Sequence, residues 1–532
     1  MIGRRLGLGV GIVISLLLTC CGGDTKESPL PPGVSAAQGS SHLTISGKAF
    51  YEDMPYTENG FIVLHVNTPI RHAIINLIAH DGIVLLSSSQ TGEDGSFSFS
   101  NIDNSGRRGG VFLQIQAKNA DDSASPAEVR SLQGALQGVS GPTLDDSSSD
   151  NFQSVEIISR AEDKGGAFNI LDNFLKGGAF IQEPGFCPSS LNTECKAPFL
   201  TAFWEPGSGE GSFFDSGGPA IFISGGGGDK DADEYDDTVI LHEYGHFIAG
   251  SFSHDNSPGG LHSLGDNTQD IRLSWSEGWA TFFASAVLGS PLAVDTNAKG
   301  VFAFNIDDNT VTFIKDGFLT GGVLTSIFTT DEIANSSVLW DIMTATGFPS
   351  IWKSFTEIPL SDTATMESFS VLFMNQNPAT KNSFQTILTG RRIELFPDSG
   401  ESGESALIVN GSSQHHTLYT TNSSNPFGDE DIISFSATAG TPYTVKTLNL
   451  TNGADTFLTI DSGSGLTNDN ADGSSYLLNC APCPKNDQTT LSSSASFTPS
   501  TGGMLFVHVT RSPNAPLSTG LTGSYDIKLT SP

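Results

Sequence analysis

The chain has 532 residues, 37% hydrophobic and 9% aromatic, which is too long for one compact core and predicts roughly two to four domains. Lys+Arg 25 against Asp+Glu 58 leaves a formal net charge of −33, which would repel nucleic acid phosphates and anionic lipid and argues against either as a partner. With only 16% charged residues and abundant Gly, Ser and Thr, the composition suits loop-rich β-structure.

At the N-terminus, Arg4 and Arg5 precede an apolar run over 6–18, closed by Thr19-Cys20-Cys21-Gly22-Gly23. This pattern predicts an export signal over 1–21, too short to span a bilayer, and an extracellular or outer-surface location. Its end resembles a bacterial lipobox, which implies lipidation at Cys20 or Cys21. Thr19 or Cys20 stands where Gly or Ala is usual. Membrane contact is expected only through that anchor. A Gly/Ser/Pro-rich tether follows at 22–42.

From 43 the chain reads as short strands, at 43–50, 73–78 and 96–99, the last after the turn Asp94-Gly95. These residues resemble the transthyretin-like or carboxypeptidase-regulatory-like β-sandwiches, which implies a positioning module over 43–158, kept or removed as a propeptide. His65, His72 and His80 lie here without ligand spacing.

Helical periodicity begins with Phe168, Leu171, Phe174 and Leu175, and Gly177-Gly178 is expected to end that helix. All five tryptophans fall between 204 and 352, so the main core is expected there. Cys187 with Cys195, and Cys480 with Cys483, are close pairs read as disulfides of an exported chain; Cys480-Ala-Pro-Cys483 could also be a redox or metal motif. Asp229, Asp231 and Asp233 alternate in an acidic stretch that could offer oxygens to Ca²⁺ or remain a solvated turn.

The segment that carries chemistry is His242-Glu243-Tyr244-Gly245-His246. Positions i and i+4 share a helix face, so both imidazoles can reach one Zn²⁺, while Glu243 can act as general base. Asp236 or Asp237 is expected to cap this helix. Chance would produce such a motif in on the order of one in a hundred chains of this composition. Zinc needs a further ligand, and Glu277 in Ser274-Trp275-Ser276-Glu277-Gly278-Trp279 supplies the candidate carboxylate; its alternative is a capping box with Ser274. Asp266 or Asp270 could orient a ligand histidine.

His-Glu-Tyr-Gly-His followed by Ser-Glu-Gly-Trp-Ala resembles the gluzincin metallopeptidases, the thermolysin and fungalysin groups in particular. Glu277 lies 31 positions after His246, a wider gap than in thermolysin-type enzymes. The resemblance implies an α+β zincin-like domain over 159–400, a peptide or protein substrate, and an edge strand holding it, here expected at 219–224. It also implies an oxyanion-stabilising side chain, for which His254 and His262 are the candidates.

Strand patterns return over 401–532, at 431–436, 439–445, 454–460, 502–509 and 523–529. They resemble the bacterial pre-peptidase C-terminal domain, an accessory β-sandwich of secreted peptidases. The expected fold class is multidomain: an N-terminal β-sandwich, an α+β catalytic domain and a C-terminal β-sandwich. The expected function is a secreted or surface-anchored zinc endopeptidase. The competing reading is a non-catalytic surface binding protein with a degenerate peptidase fold.

Overall fold

The computed structural model describes residues 42–391 apart from 63, 81–83, 104, 106–109, 121–122, 147–148, 189–190, 192–194, 210, 227–231, 267–268, 298–299, 316–317, 325–328 and 361–363. Beyond these it describes 406–418, 430–450, 455–461, 466–469, 476–477, 492–512 and 523–532. The signal and tether with Cys20 and Cys21, the loop carboxylates Asp229 and Asp231, and the pair Cys480 and Cys483 lie outside the described residues.

The N-terminal strands form because buried and open positions alternate. Along Val111–Asn119, for instance, Val111, Leu113, Ile115 and Ala117 all point into the core and are fully buried. His42–Asp53 pairs in parallel with Asn151–Ser159 and antiparallel with Val66–Pro69 and Ser96–Asp103. A second, eight-stranded sheet runs in the order Phe213–Asp215, Ala220–Phe222, Leu200–Phe203, Ala127–Arg130, Val111–Asn119, Ala73–Ala79 and Leu85–Gln90, with Gly138–Ser140 off this path.

That sheet crosses the boundary expected at 158, since Ala127–Arg130 pairs in parallel with Leu200–Phe203. One apolar core runs on from Leu43 through to Leu388. The N-terminal strands and the helices after them therefore bury their apolar faces against each other, and 42–391 shares one core. The terminal strand of the sheet also differs from expectation. Ala220–Phe222 lies one place in, and Phe213–Asp215, paired antiparallel with it, is the edge.

Helix α1 (Gly166–Ile181) continues through Gly177-Gly178, which were expected to stop it. A side chain at Gly177 would meet the Tyr244 ring at 2.7 Å, and one at Gly178 the backbone of Ala124 at 2.9 Å. The two glycines serve close packing of helix on helix and helix on loop. Helices α2 (Asp237–Phe252) and α3 (Ile271–Leu288) pack just as tightly, since a Cβ on Gly245 would stand 3.0 Å from the Ala280 backbone. Trp279 Nε1 donates to the Gly245 carbonyl at 3.2 Å, and its ring stacks on Phe355. Burying such rings removes about 150–250 Å² of apolar surface each, so Trp204, Trp279 and Trp352, all fully buried, anchor this core.

After α3 comes a four-stranded antiparallel meander, Leu292–Asn297, Gly300–Asn305, Thr310–Lys315 and Phe318–Val323, which the sequence pattern did not reveal. Helices α4 (Glu332–Thr346), α5 (Phe348–Thr356), α6 (Met366–Gln376) and α7 (Lys381–Arg391) complete the helical region. Cys187 and Cys195 are disulfide-bonded.

The C-terminal strands form two sheets around a core of their own. Leu418, Tyr443, Val445, Phe497, Tyr525, Ile527 and Leu529 come from one sheet, and Ile433, Phe435, Leu458, Ile460, Val507 and Val509 from the other. The molecule is thus multidomain and α+β, with several sheets and a helical central region. Among the described residues no helix is long and apolar enough to cross a membrane.

Candidate metal centre

Helix α2 carries His242 and His246 one turn apart, and three supports fix its first turn. Asp236 occupies the N-cap position but does not cap with its side chain; its carboxylate instead accepts from the backbone N–H and hydroxyl of Thr296. Asp237 accepts from Asn169 and Asn173 of α1 at 3.2 and 2.7 Å. Thr238 N–H donates to the phenol oxygen of Tyr56 at 3.2 Å.

The position of Glu277 depends on where α3 starts. Asp270 is its N-cap and accepts from Arg272 N–H at 2.9 Å, so Glu277 falls in the second turn, past any capping role. Asp270 also pairs with the Arg272 guanidinium and does not orient a ligand histidine. With its helix begun at Ile271, Glu277 faces α2. Its Oε2 lies 3.1 Å from His242 Nε2 and 3.3 Å from His246 Nε2, and the two imidazole nitrogens are 3.2 Å apart.

That triangle can be tested for fit. Tetrahedral zinc with bonds of about 2.0–2.1 Å requires donors about 3.3–3.4 Å apart. The three sides here match to within about 0.3 Å, and the far nitrogen of each ring faces a hydroxyl: His242 Nδ1 meets Thr281 Oγ1 at 3.2 Å, and His246 Nδ1 meets Ser276 Oγ at 3.1 Å. Two imidazoles and a carboxylate, all aimed at one point beside a cleft, could hold a metal ion, and their chemistry and spacing are consistent with zinc.

The cleft has a volume of about 330 Å³, and its lining includes His242, Glu243, His246, Glu277, His262, Asp255 and the edge residues Phe213 and Phe214. Burial pushes the Glu243 carboxyl up, against the opposing pull of both imidazoles and a backbone hydrogen bond at Phe214. Burial would also raise Glu277, but the His246 and His242 rings hold it well below the usual carboxylate range. Conversely, burial would lower His246, and the Glu277 carboxylate outweighs it, raising the ring to about 9. Glu243 is thus set apart from Glu277 electrostatically as well as by position: burial raises one carboxyl, and the neighbouring histidines lower the other.

Of the two histidines offered as oxyanion stabilisers, His262 reaches the centre and His254 is not among the residues lining the cleft. His262 Nε2 is 3.6 Å from Glu277 Oε2, and its Nδ1 is hydrogen-bonded to Glu332 Oε2 at 3.0 Å. Glu332 raises the His262 pKa above its ordinary value, burial opposing it and Glu277 adding to it. Behind His242 and His262 lies a second cavity of about 250 Å³, lined by Val239, Leu264, Ala284, Phe302 and Phe304.

Asp233 approaches Asp236 and Asp295, with carboxylate oxygens within 4.8 Å of one another. Burial pushes the Asp236 carboxyl well up, and Asp295 and Asp233 add to it against the hydrogen bonds from Thr296. Oxygen donors of this kind suit a hard cation. Asp236 was read from the sequence only as a helix cap, and Asp295, Glu332, Ser276, Thr281 and Asp255 were given no role. Each looks like an ordinary cap or loop residue until the chain is folded.

A comparison with curated proteins finds no match. Among solved structures, the pre-peptidase C-terminal domain of a collagenase from Bacillus anthracis is 13% identical, over 26% of this chain and 99% of that one, with a TM-score of 0.16. A surface-associated copper-binding protein of Methylomicrobium album BG8 is 11% identical, over 25% of this chain and 99% of that one, with a TM-score of 0.17. Scores this low bear on neither fold nor function. Residues 183–386, which carry His242, Glu243, His246, His262, Glu277 and Glu332, match the family model of the Mycolysin C-terminal domain, a peptidase family domain.

Proposed function

We propose that the chain is an exported zinc endopeptidase in which His242, His246 and Glu277 hold the metal. The observation that carries this reading is the triangle of 3.1, 3.2 and 3.3 Å between their donor atoms. The match to a peptidase family domain across the same residues supports it. Zinc chemistry at such a point is Lewis acidity, which acidifies water and polarises a carbonyl.

The protein side chains do the rest. Glu243 takes a proton from the attacking water and passes it to the leaving amine, so the peptide bond breaks as water is added. His262, oriented by Glu332, donates to the oxygen on which negative charge develops. The edge strand Phe213–Asp215 borders the cleft and is the natural neighbour for an extended peptide, although the Phe214 N–H already bonds Glu243. The apolar cavity behind His242 suits an apolar substrate side chain beside the scissile bond. The export signal read at 1–21 puts this activity outside the cell.

The test is metal analysis of purified protein together with casein cleavage, with and without a chelator. One zinc per chain and chelator-sensitive cleavage are expected. Zinc without cleavage would favour a surface binding protein.

A further inference from the structure

Ser276 has one hydroxyl proton and two neighbours that compete for it. Asp255 Oδ2 accepts it at 2.8 Å, and His246 Nδ1 stands 3.1 Å away on the other side. An ionised carboxylate can only accept. The Ser276 proton therefore points to Asp255, and the oxygen lone pair that remains must receive Nδ1–H from His246. In the neutral ring, the form that can ligate a metal, this leaves the Nε2 lone pair open on the side where His242 Nε2 and Glu277 Oε2 converge.

We infer that Asp255 is a positioning residue for the metal centre: acting through Ser276, it locks His246 in the tautomer that can ligate. The inference rests on the zinc reading above. Asp255 is itself held, because its Oδ1 accepts from Ser257 N–H at 3.0 Å. It stands on the loop after α2 that also delivers His262, so the relay couples the path of that loop to the competence of a ligand. A carboxylate that touches a ligand histidine directly would do this in one step. Here a buried serine, one residue before Glu277 on α3, carries the polarity across. The bland alternative is that Asp255 merely closes the turn to Ser257.

Asp255→Asn separates the two. Its amide oxygen can still accept from Ser257, so the turn is kept, but its NH₂ now faces Ser276 and donates. The Ser276 hydroxyl must then turn its proton towards His246, which favours the wrong tautomer. Zinc affinity is measured on full-length variants by competition with a zinc-binding dye, alongside the melting temperature of the zinc-free forms. Partners of this kind are worth about 10- to 100-fold in metal affinity, and a loss of that order is expected for Asp255→Asn and for Ser276→Ala. Ser276→Thr, which keeps the hydroxyl, should stay near wild type, and the double variant should bind no worse than Ser276→Ala, as one relay requires. Zinc-free melting temperatures should be unchanged. Wild-type affinity in Asp255→Asn, or losses that add in the double variant, would overturn the relay while leaving the zinc reading intact. A wild type that binds no zinc would overturn both.

Discussion

Tyr56 and Thr238, 182 positions apart, are joined by a hydrogen bond from the Thr238 backbone N–H to the Tyr56 phenol oxygen at 3.2 Å. The N-terminal segment thereby supplies a cap to the helix that bears His242 and His246. Asp237 of that helix is in turn gripped by Asn169, Asn173 and Lys176 of α1.

The segment 42–158 should therefore be indispensable to the mature protein. A chain starting at 159 is expected to be insoluble or to lack a cooperative melt, because it loses about a third of a continuous core and the strand Ala127–Arg130 paired to Leu200–Phe203. Tyr56→Phe is a milder form of the same test and should cost about 1 kcal/mol in urea unfolding. A truncated chain that melts cooperatively and cleaves peptide would mark the segment as a removable propeptide.

Glu243→Gln keeps size and a hydrogen-bonding head but cannot take a proton. Peptide hydrolysis should fall by about 10²–10⁴-fold while zinc content stays at the wild-type level. Unchanged cleavage would move the activity to another site or to a contaminant.

His262→Ala should lower kcat by about 10²–10³-fold with little change in KM, the pattern of a donor used only in the transition state. Glu332→Gln, which leaves His262 in place but weakens its hold, should do the same to a lesser degree. A rise in KM alone would assign His262 to substrate binding.

Asp53 provides a pH test with a definite sign. Burial first, and then Asp237, push its carboxyl up to about 6 from the ordinary 3.8, with Lys176 partly offsetting them. Between these two values the folded chain keeps a proton that the unfolded chain has lost. The stability from this site therefore falls as pH rises through that window and stays low above it. Asp53→Asn is expected to raise Tm at pH 7.5 relative to wild type and to leave it nearly unchanged at about pH 4. Equal shifts at both pH values would show that charge at Asp53 is not the cause.

His242, Glu243 and His246 could be read from the sequence because their relationship is local: helix periodicity alone sets i against i+4. The strand alternation of the C-terminal segment was legible for the same reason, since a period of two needs no partner to be recognised. Glu277 stood between ligand and cap, because that choice turns on whether α3 begins at Ile271 or at Ser274. Gly177-Gly178 misled, since glycine that ends a helix and glycine that admits a neighbour look alike until Tyr244 is packed against them. The edge position of Phe213–Asp215, the Glu332 behind His262 and the Asp255 behind Ser276 were settled only by tertiary structure. Each is a contact between residues 5 to 70 positions apart. Such contacts arise from how apolar faces stack elsewhere in the core, which leaves no period in the sequence at the polar residues they bring together.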